Sequence, residues 1–168
     1  MNSNSRGYDD YDCDHSKKEK KPCPTIIKCG CPSSTTLPPA TIAGTAFPLT
    51  SLSLDTSRLC DPHVKLEFAS NLVAAVLFTG TINFQVFKIC RGQNVPVPVG
   101  PAWTFSLVAL LSSQTFSFFV CDSDSCFDEC CSYTVVATVT SAVTVGTLSI
   151  NNATLGAIAT CGTSSCCK

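Results

Sequence analysis

Thirteen cysteines are the residues of this 168-residue chain with the most chemistry to offer. Four of them stand in residues 121–131, CDSDSCFDECC, among three Asp and one Glu. Thiols at this density serve metal coordination, redox catalysis or disulfide cross-linking, and the spacing between them separates these three uses.

The spacing argues against a metal or redox centre. Cys121, Cys126, Cys130 and Cys131 are separated by four, three and zero residues, so the cluster lacks the CxxC pair of zinc and thiol-redox sites. Counted from Asp122, the sixth and twelfth positions do not hold the Gly and Glu of a calcium loop. We therefore expect no resident metal, and a cytosolic thiol-rich metal-binding protein stays as an alternative.

An enzyme is not expected either. The chain has two histidines, His15 near the N-terminus and His63 after the turn residues CDP. A Cys–His pair needs a histidine held rigidly beside its nucleophile, and neither position suggests that. The sequence contains no nucleophile elbow and no phosphate-binding glycine loop, so we expect no cofactor.

Disulfide cross-linking remains, and the count of thiols favours links between copies. Thirteen is odd, so at least one cysteine has no partner within its own chain. Adjacent cysteines, Cys130–Cys131 and Cys166–Cys167, seldom bond to each other, because disulfides need Cα atoms about 4.4–6.8 Å apart. On a strand they point to opposite faces. The alternative is that cysteines near the chain ends fasten the two tails to their own domain.

Charge is scarce and uneven. Only 14% of residues are charged, against about 25% in an average protein. Eleven charged residues stand in residues 1–31, whereas residues 92–121 and 130–167 have none. Such a domain is expected to lie against other protein. A net charge of −1 argues against nucleic acid as a partner.

The apolar runs are too short for a transmembrane helix, and no membrane partner is expected. Residues 1–21 contain no apolar stretch of the kind that a secretory signal has.

The residue pattern predicts three regions: a flexible connector arm over residues 1–25, a β domain over 26–161 and a cysteine-bearing tail over 162–168. Apolar residues alternate with polar ones through most of the domain, as in VKLEFAS and TINFQVF. We predict strands over residues 26–30, 43–54, 63–73, 79–90, 102–110, 114–121, 131–142 and 146–160, with bends or breaks at Gly80, Gly146 or residues 151–153.

About eight such strands predict an all-β fold, a jelly-roll-like antiparallel β-sandwich. An immunoglobulin-like sandwich is the alternative, and the sequence lacks its Cys…Trp…Cys arrangement.

Residues 28–38, KCGCPSSTTLP, with LTSLSLDTS (49–57) and VKLEFASN (64–71), resemble a group of small cysteine-rich proteins of unknown function from spore-forming clostridia. The layout of the chain also resembles the endospore appendage subunits of Firmicutes. That resemblance implies a jelly-roll subunit whose N-terminal connector forms disulfides with other subunits, which builds a pilus-like fibre on the spore.

By this resemblance Cys13 and Cys23 are the connector thiols, and their acceptors lie among the cysteines of the domain. The candidates for bonds between copies are Cys13, Cys23, Cys126, Cys130, Cys131, Cys166 and Cys167. The other disulfide candidates are Cys29, Cys31, Cys60, Cys90, Cys121 and Cys161.

The sequence therefore predicts a self-assembling structural subunit of a disulfide-cross-linked extracellular fibre or spore coat layer. Its expected partners are other copies of itself, in a helical homopolymer, with spore-surface anchoring proteins as further candidates. Its expected route is synthesis in the mother-cell cytosol and oxidation once that cell lyses. A carbohydrate- or receptor-binding sandwich is a third possibility, which the presence of only one Trp and three Tyr disfavours.

Overall fold

The computed structural model describes residues 23–109, 111–123, 130–141 and 144–162, all of whose regular elements are strands. The predicted connector up to residue 22 and the tail from residue 163 lie outside the described residues. The strands are β1 Ile26–Cys29, β2 Ser33–Leu37, β3 Ala46–Asp55, β4 Pro62–Cys90, β5 Val97–Ala109, β6 Ser112–Asp122, β7 Cys130–Val139 and β8 Val145–Cys161.

Strand β4 is the element around which the others assemble. It has 29 residues, and every even-numbered residue of 62–74 and 78–90 is buried. The sequence predicted two strands here, over 63–73 and 79–90. The structure has one, because the buried, even-numbered positions are in the same phase before and after the apolar residues that join the two predicted segments.

The two halves of β4 belong to different sheets, and every pairing is antiparallel. The first half lies between β8 and β6, and β1 and β2 pair with the far side of β8. This is the first sheet. The second half lies between β7 and β5, and β3 pairs with the far side of β7. This is the second sheet.

Aromatic side chains fill the space between the two sheets. Phe68 and Phe84, one from each half of β4, have ring centroids 5.9 Å apart. Phe116 of β6 lies 4.6 Å from Phe84 and 5.7 Å from Phe105 of β5. The sheets therefore pack face to face, and the predicted jelly-roll-like β-sandwich is confirmed.

The residues of β8 that face the core change once from even-numbered to odd-numbered positions. Even-numbered residues are buried up to Ile150, and odd-numbered ones from Ala153 onward. Asn152 has φ of 53°, and the pairing of β8 with β4 shifts at the same point. This is a β-bulge, so the bend predicted at residues 151–153 is present without ending the strand.

Candidate functional site: thiols on the outer sheet faces

Two disulfides with both partners described lie within the chain. Cys23 is bonded to Cys161, with the two Cα atoms 6.0 Å apart. Cys90 of β4 is bonded to Cys131, which lies directly opposite it on β7. Cys60 is also disulfide-bonded.

The structure corrects the expectation for two cysteines assigned to bonds between copies. Cys23 reaches Cys161 because β1 runs antiparallel to the end of β8, and the Cys161 N–H also contacts the Cys23 sulfur, at 3.0 Å. Cys131 points into the core, where it is 3% exposed and faces Cys90. Its neighbour Cys130 is exposed, so these adjacent cysteines do point to opposite faces.

Four described cysteines are free and exposed, namely Cys29, Cys31, Cys121 and Cys130. Three of them had been expected only as general disulfide candidates, and Cys130 as a link between copies. The remaining candidates, Cys13, Cys126, Cys166 and Cys167, lie outside the described residues.

The Cys29–Cys31 segment is held between the two sheets. The Gly30 N–H donates to the Leu155 carbonyl of β8 at 2.8 Å. The Cys31 carbonyl accepts from the Thr50 hydroxyl of β3 at 3.3 Å. A Cβ at Gly30 would lie 2.9 Å from the Ser51 carbonyl oxygen, which explains why a glycine separates the two thiols. Both thiols therefore stand on anchored backbone.

Cys29 and Cys121 lie on the same outer face of the first sheet. Cys29 of β1 is opposite Gly156 of β8, and Cys121 of β6 is opposite Lys65 of β4. Opposed residues of an antiparallel pair point to one face, and the outward residues of β4 and β8 share it. In the described residues β1 and β6 each pair with one neighbouring strand only, so the two thiols stand at opposite edges of the sheet.

Apolar side chains accompany these thiols. Ile27, Phe119 and Ile158 are 70%, 55% and 42% exposed and lie on the same outer face. We call this surface, with Cys29 and Cys121, the thiol face. Lys65 lies over the ring of Phe119 at 5.3 Å and contacts Glu67 at 3.3 Å. Large exposed apolar side chains beside free thiols are typical of a surface that contacts another protein.

Cys130 stands on the second sheet, at the start of β7 and opposite Asp55 of β3. Its carbonyl accepts from the Arg91 N–H at 3.3 Å. Hydrogen bonds from the side chain and backbone of Ser57, aided by the charge of Arg58, hold the pKa of Asp55 below its usual value. The fourth thiol is thus opposite a carboxylate of the neighbouring strand.

An apolar groove of about 410 Å³ lies on the outer face of the second sheet. Its walls include Pro48 of β3, Phe87 and Ile89 of β4, and Val136 of β7. Pro96, directly before β5, also lines it. This groove is not among the features predicted from the sequence. The available signal was a pair of large apolar residues, Phe87 and Ile89, that follows four polar residues on the outward positions 79–85 of β4.

Residues 23–109, 111–123, 130–141 and 144–162 contain no group of three or more His, Cys, Asp or Glu placed to hold a metal. His63 is exposed, and His15 lies outside these ranges. In the same ranges, none of the structure is a helix with the length and hydropathy of a membrane span.

Comparison with solved structures returns β-rich proteins at low sequence identity. The chain aligns with infectious bursal disease virus Gx strain at 6% identity and a TM-score of 0.46, covering 83% of this chain and 38% of that one. Bacteriophage CBA120 tailspike protein 4 gives 11% identity and a TM-score of 0.43, and the alignment covers 78% of this chain and 19% of that one. The non-crystalline cellulose specific carbohydrate-binding module CBM28 gives 15% identity and a TM-score of 0.38, and the alignment covers 77% of this chain and 72% of that one.

The chain thus spans well under two thirds of the first two structures. No curated protein matches the sequence. A family described as "Domain of unknown function (DUF4489)" matches residues 23–160, from the first described cysteine almost to the end of β8, and the protein belongs to that family.

Proposed function

We propose that this protein is a self-assembling structural subunit of an extracellular fibre or coat layer, whose copies are joined by disulfides. The observation that carries the proposal is the pair of free, exposed thiols at opposite edges of the first sheet, Cys29 on β1 and Cys121 on β6. Three strand spacings separate them, about 14 Å, which is beyond the 4.4–6.8 Å that a disulfide spans. The two thiols therefore cannot bond to each other, and both are exposed to thiols of another copy.

Edge pairing supplies a contact that brings the thiols of two copies together. Edge strands carry unpaired N–H and C=O groups, and monomeric proteins usually protect such edges with charged residues. Strand β6 has no charge before Asp122, and β1 has Lys28 alone. The β1 edge of one copy placed beside the β6 edge of the next continues the first sheet and aligns their thiol faces. Oxidation then makes the contact permanent.

The contact is head to tail, so it leaves a free β1 edge at one end and a free β6 edge at the other. A contact of this kind that does not close on itself produces an open filament. Cys31 and Cys130, together with Cys13, Cys126, Cys166 and Cys167, supply thiols for further links along or between filaments. The proposal assigns the subunit no catalytic activity.

Mixing two single variants tests the link. A Cys29→Ser copy keeps Cys121, and a Cys121→Ser copy keeps Cys29. An equal mixture of the two variants is oxidised and run on a gel without reductant. We expect the mixture to give a disulfide dimer through Cys29 and Cys121, which neither variant can form alone. The parent should give a ladder that collapses to monomer with reductant.

The matched control adds Cys130→Ser to both single variants, which removes an exposed thiol on the other sheet and should not change the formation of the dimer in their mixture. A Cys29→Ser, Cys121→Ser double variant that forms the same ladder as the parent would show that the edge contact is not the link. A parent that stays monomeric after oxidation would overturn the cross-linked assembly itself.

We also propose that the assembly is on the spore surface, after synthesis in the mother cell. Its support is the cysteine content, which suits an oxidising environment, and the resemblance of the layout to endospore appendage subunits. Labelling with antibodies should mark the outside of mature spores, and reductant should release the protein from them. Reduced protein found only in the cytosol of vegetative cells would contradict this location.

A binding module is the second candidate function, and the groove favours it. Phe87 and Ile89 give the groove an apolar floor on a sheet face, which is a common place for a small ligand. A titration with a panel of oligosaccharides, followed by NMR, should then shift the signals of Ile89 and Val136, and Phe87→Ala should abolish those shifts. A groove that responds to no oligosaccharide leaves the fibre as the function.

A further inference from the structure

Three buried polar residues meet between the two sheets, next to the Cys90–Cys131 disulfide. Lys88 Nζ of β4 lies 3.0 and 2.8 Å from the two carboxyl oxygens of Asp122 at the end of β6. The Tyr133 hydroxyl of β7 donates to Asp122 Oδ2 at 2.8 Å. The side chains of Lys88 and Asp122 are 5% and 4% exposed, and Tyr133 is 1% exposed.

The position of Lys88 is unusual for a charged residue. It occupies an even, inward position of β4, between Val86 and Cys90, in a row of otherwise apolar or small buried residues. A buried ion pair is often no more stable than well-packed apolar residues of the same volume, because both charges lose their hydration. Stability alone is therefore a weak reason for this pair, and its chemistry is a stronger one.

We propose that Lys88 and Asp122 condense to an isopeptide bond. Bidentate contact places Nζ beside Cγ, within the range of about 3–3.5 Å from which nucleophilic attack proceeds. Attack on Cγ comes from above the carboxyl plane, so the reaction requires the two side chains to shift until Nζ lies over that plane. Exclusion of water from the site favours the amide over its hydrolysis.

The step is a condensation that needs no oxidant and no cofactor. A proton passes from the Lys88 ammonium to the Asp122 carboxylate along their hydrogen bond, which leaves an amine and a carboxylic acid. Nζ attacks Cγ and forms the C–N bond. The C–O bond to the hydroxyl then breaks, Nζ loses a second proton, and water leaves. The Tyr133 hydroxyl protonates the departing oxygen and recovers its proton from Nζ.

The bond would join the two sheets. Lys88 belongs to the half of β4 in the second sheet, and Asp122 pairs with Val64 in the first. Unlike the disulfides, an amide survives reductant. This inference depends on the buried contact alone, so it can hold or fail independently of the proposed assembly through Cys29 and Cys121.

Mass spectrometry of the folded, fully reduced and alkylated parent tests it directly. The intact chain should be lighter than its sequence by one water molecule. Trypsin should fail to cut after Lys88, and the peptide of residues 66–91 should be found joined to the one that starts at Gly92, since no Lys or Arg occurs from 92 to 167. A parent of full sequence mass that is cut after Lys88 would overturn the inference.

Two variants identify the atoms. Lys88→Arg keeps the ion pair but lacks the primary amine, so it should have the full sequence mass. Tyr133→Phe keeps the packing but lacks the hydroxyl, so it should form the bond several-fold more slowly after refolding. Loss of water that persists in Lys88→Arg would assign it to a reaction elsewhere in the chain and refute the bond.

Discussion

Backbone oxygens around residue 30 decide which side chain the thiol-bearing segment accepts. A Cβ there would lie 2.9 Å from the Ser51 oxygen and 3.2 Å from the Leu155 oxygen, and both belong to paired strands that resist displacement. We expect Gly30→Ala to lower the free energy of unfolding by about 1–3 kcal/mol, as overpacking usually does. Urea unfolding of the reduced monomer measures the change.

Gly156→Ala is the matched control, because it adds the same methyl group on the outer face of the first sheet, where the nearest atoms are 3.9 Å away. Its unfolding midpoint should change much less. Equal destabilisation by the two variants would show that the close approach at Gly30 does not constrain the segment.

The carboxyl group of Asp55 gives a prediction for pH. Ser57 lowers its pKa chiefly through a side-chain hydrogen bond, and the Ser57 N–H adds a second bond at 3.0 Å. A carboxyl group whose pKa is lowered by folding stabilises the folded protein at pH values above its unfolded pKa of 3.8. This stabilisation is lost as the pH falls through the lower pKa of the folded protein. Ser57→Ala should raise the pKa of Asp55 towards 3.8.

An NMR titration of the Asp55 carboxyl carbon measures this shift. The other carboxyl groups should titrate as they do in the parent. An unchanged Asp55 midpoint would mean that the side-chain bond of Ser57 contributes nothing in solution.

At the residue scale, the sequence located the cysteines that matter but not their partners. It predicted correctly that Cys130 and Cys131 face opposite ways, because alternation is a local property of a strand. It missed the bonds Cys23–Cys161 and Cys90–Cys131, since register between distant strands is set by the whole fold. The inward position of Lys88 was readable from the alternation in NFQVFKIC.

At the scale of elements, β4 forms part of both sheets, and its two halves touch through Phe68 and Phe84 at 5.9 Å. We expect a double-mutant cycle with Phe68→Leu and Phe84→Leu to give a coupling free energy of about 0.5–1.5 kcal/mol, the usual range for aromatic pairs. Urea unfolding of the parent, both single variants and the double variant supplies the four values.

Phe84→Leu with Phe119→Leu is the control cycle, since Phe119 points to the opposite side of the first sheet. Those two changes should be additive. A Phe68–Phe84 cycle that is equally additive would mean that the halves of β4 do not pack against each other.

Alternation of apolar and polar residues accounts for what the sequence could predict about the elements. It placed seven of the strands in the described residues to within about five residues, β1 and β3 to β8, apart from dividing β4. It missed β2, whose residues SSTTL contain a single apolar side chain and which forms through backbone pairing with β8. It divided β4 because AAVLFTG, residues 74–80, lacks polar residues at alternate positions. Both misses come from information that lies in another strand.

At the scale of the whole molecule, the Cys23–Cys161 bridge encloses nearly all of the described chain, with a sequence separation of 138 residues. Closing a loop of this size in the unfolded state is worth about 4–5 kcal/mol in the chain-entropy account. We expect Cys23→Ala with Cys161→Ala to lower the unfolding free energy by roughly that amount and to leave the fold intact.

Thermal unfolding without reductant measures this effect, with far-ultraviolet circular dichroism to confirm the sheet content. In the presence of reductant the parent and the variant should unfold alike. A variant as stable as the parent under oxidising conditions would indicate that the bridge does not form in solution.

The same bridge also determines where mechanical load enters a subunit. A pull on the chain before residue 23 reaches the sulfur atoms, and through them β8, before it strains the hydrogen bonds of the four-residue strand β1. From β8 the force passes to β4, which is the central strand of both sheets. A pull that arrives through a link at Cys13 would thus bypass a short edge strand that otherwise peels away first, and in the filament we propose such a link would carry tension while the subunits stay folded.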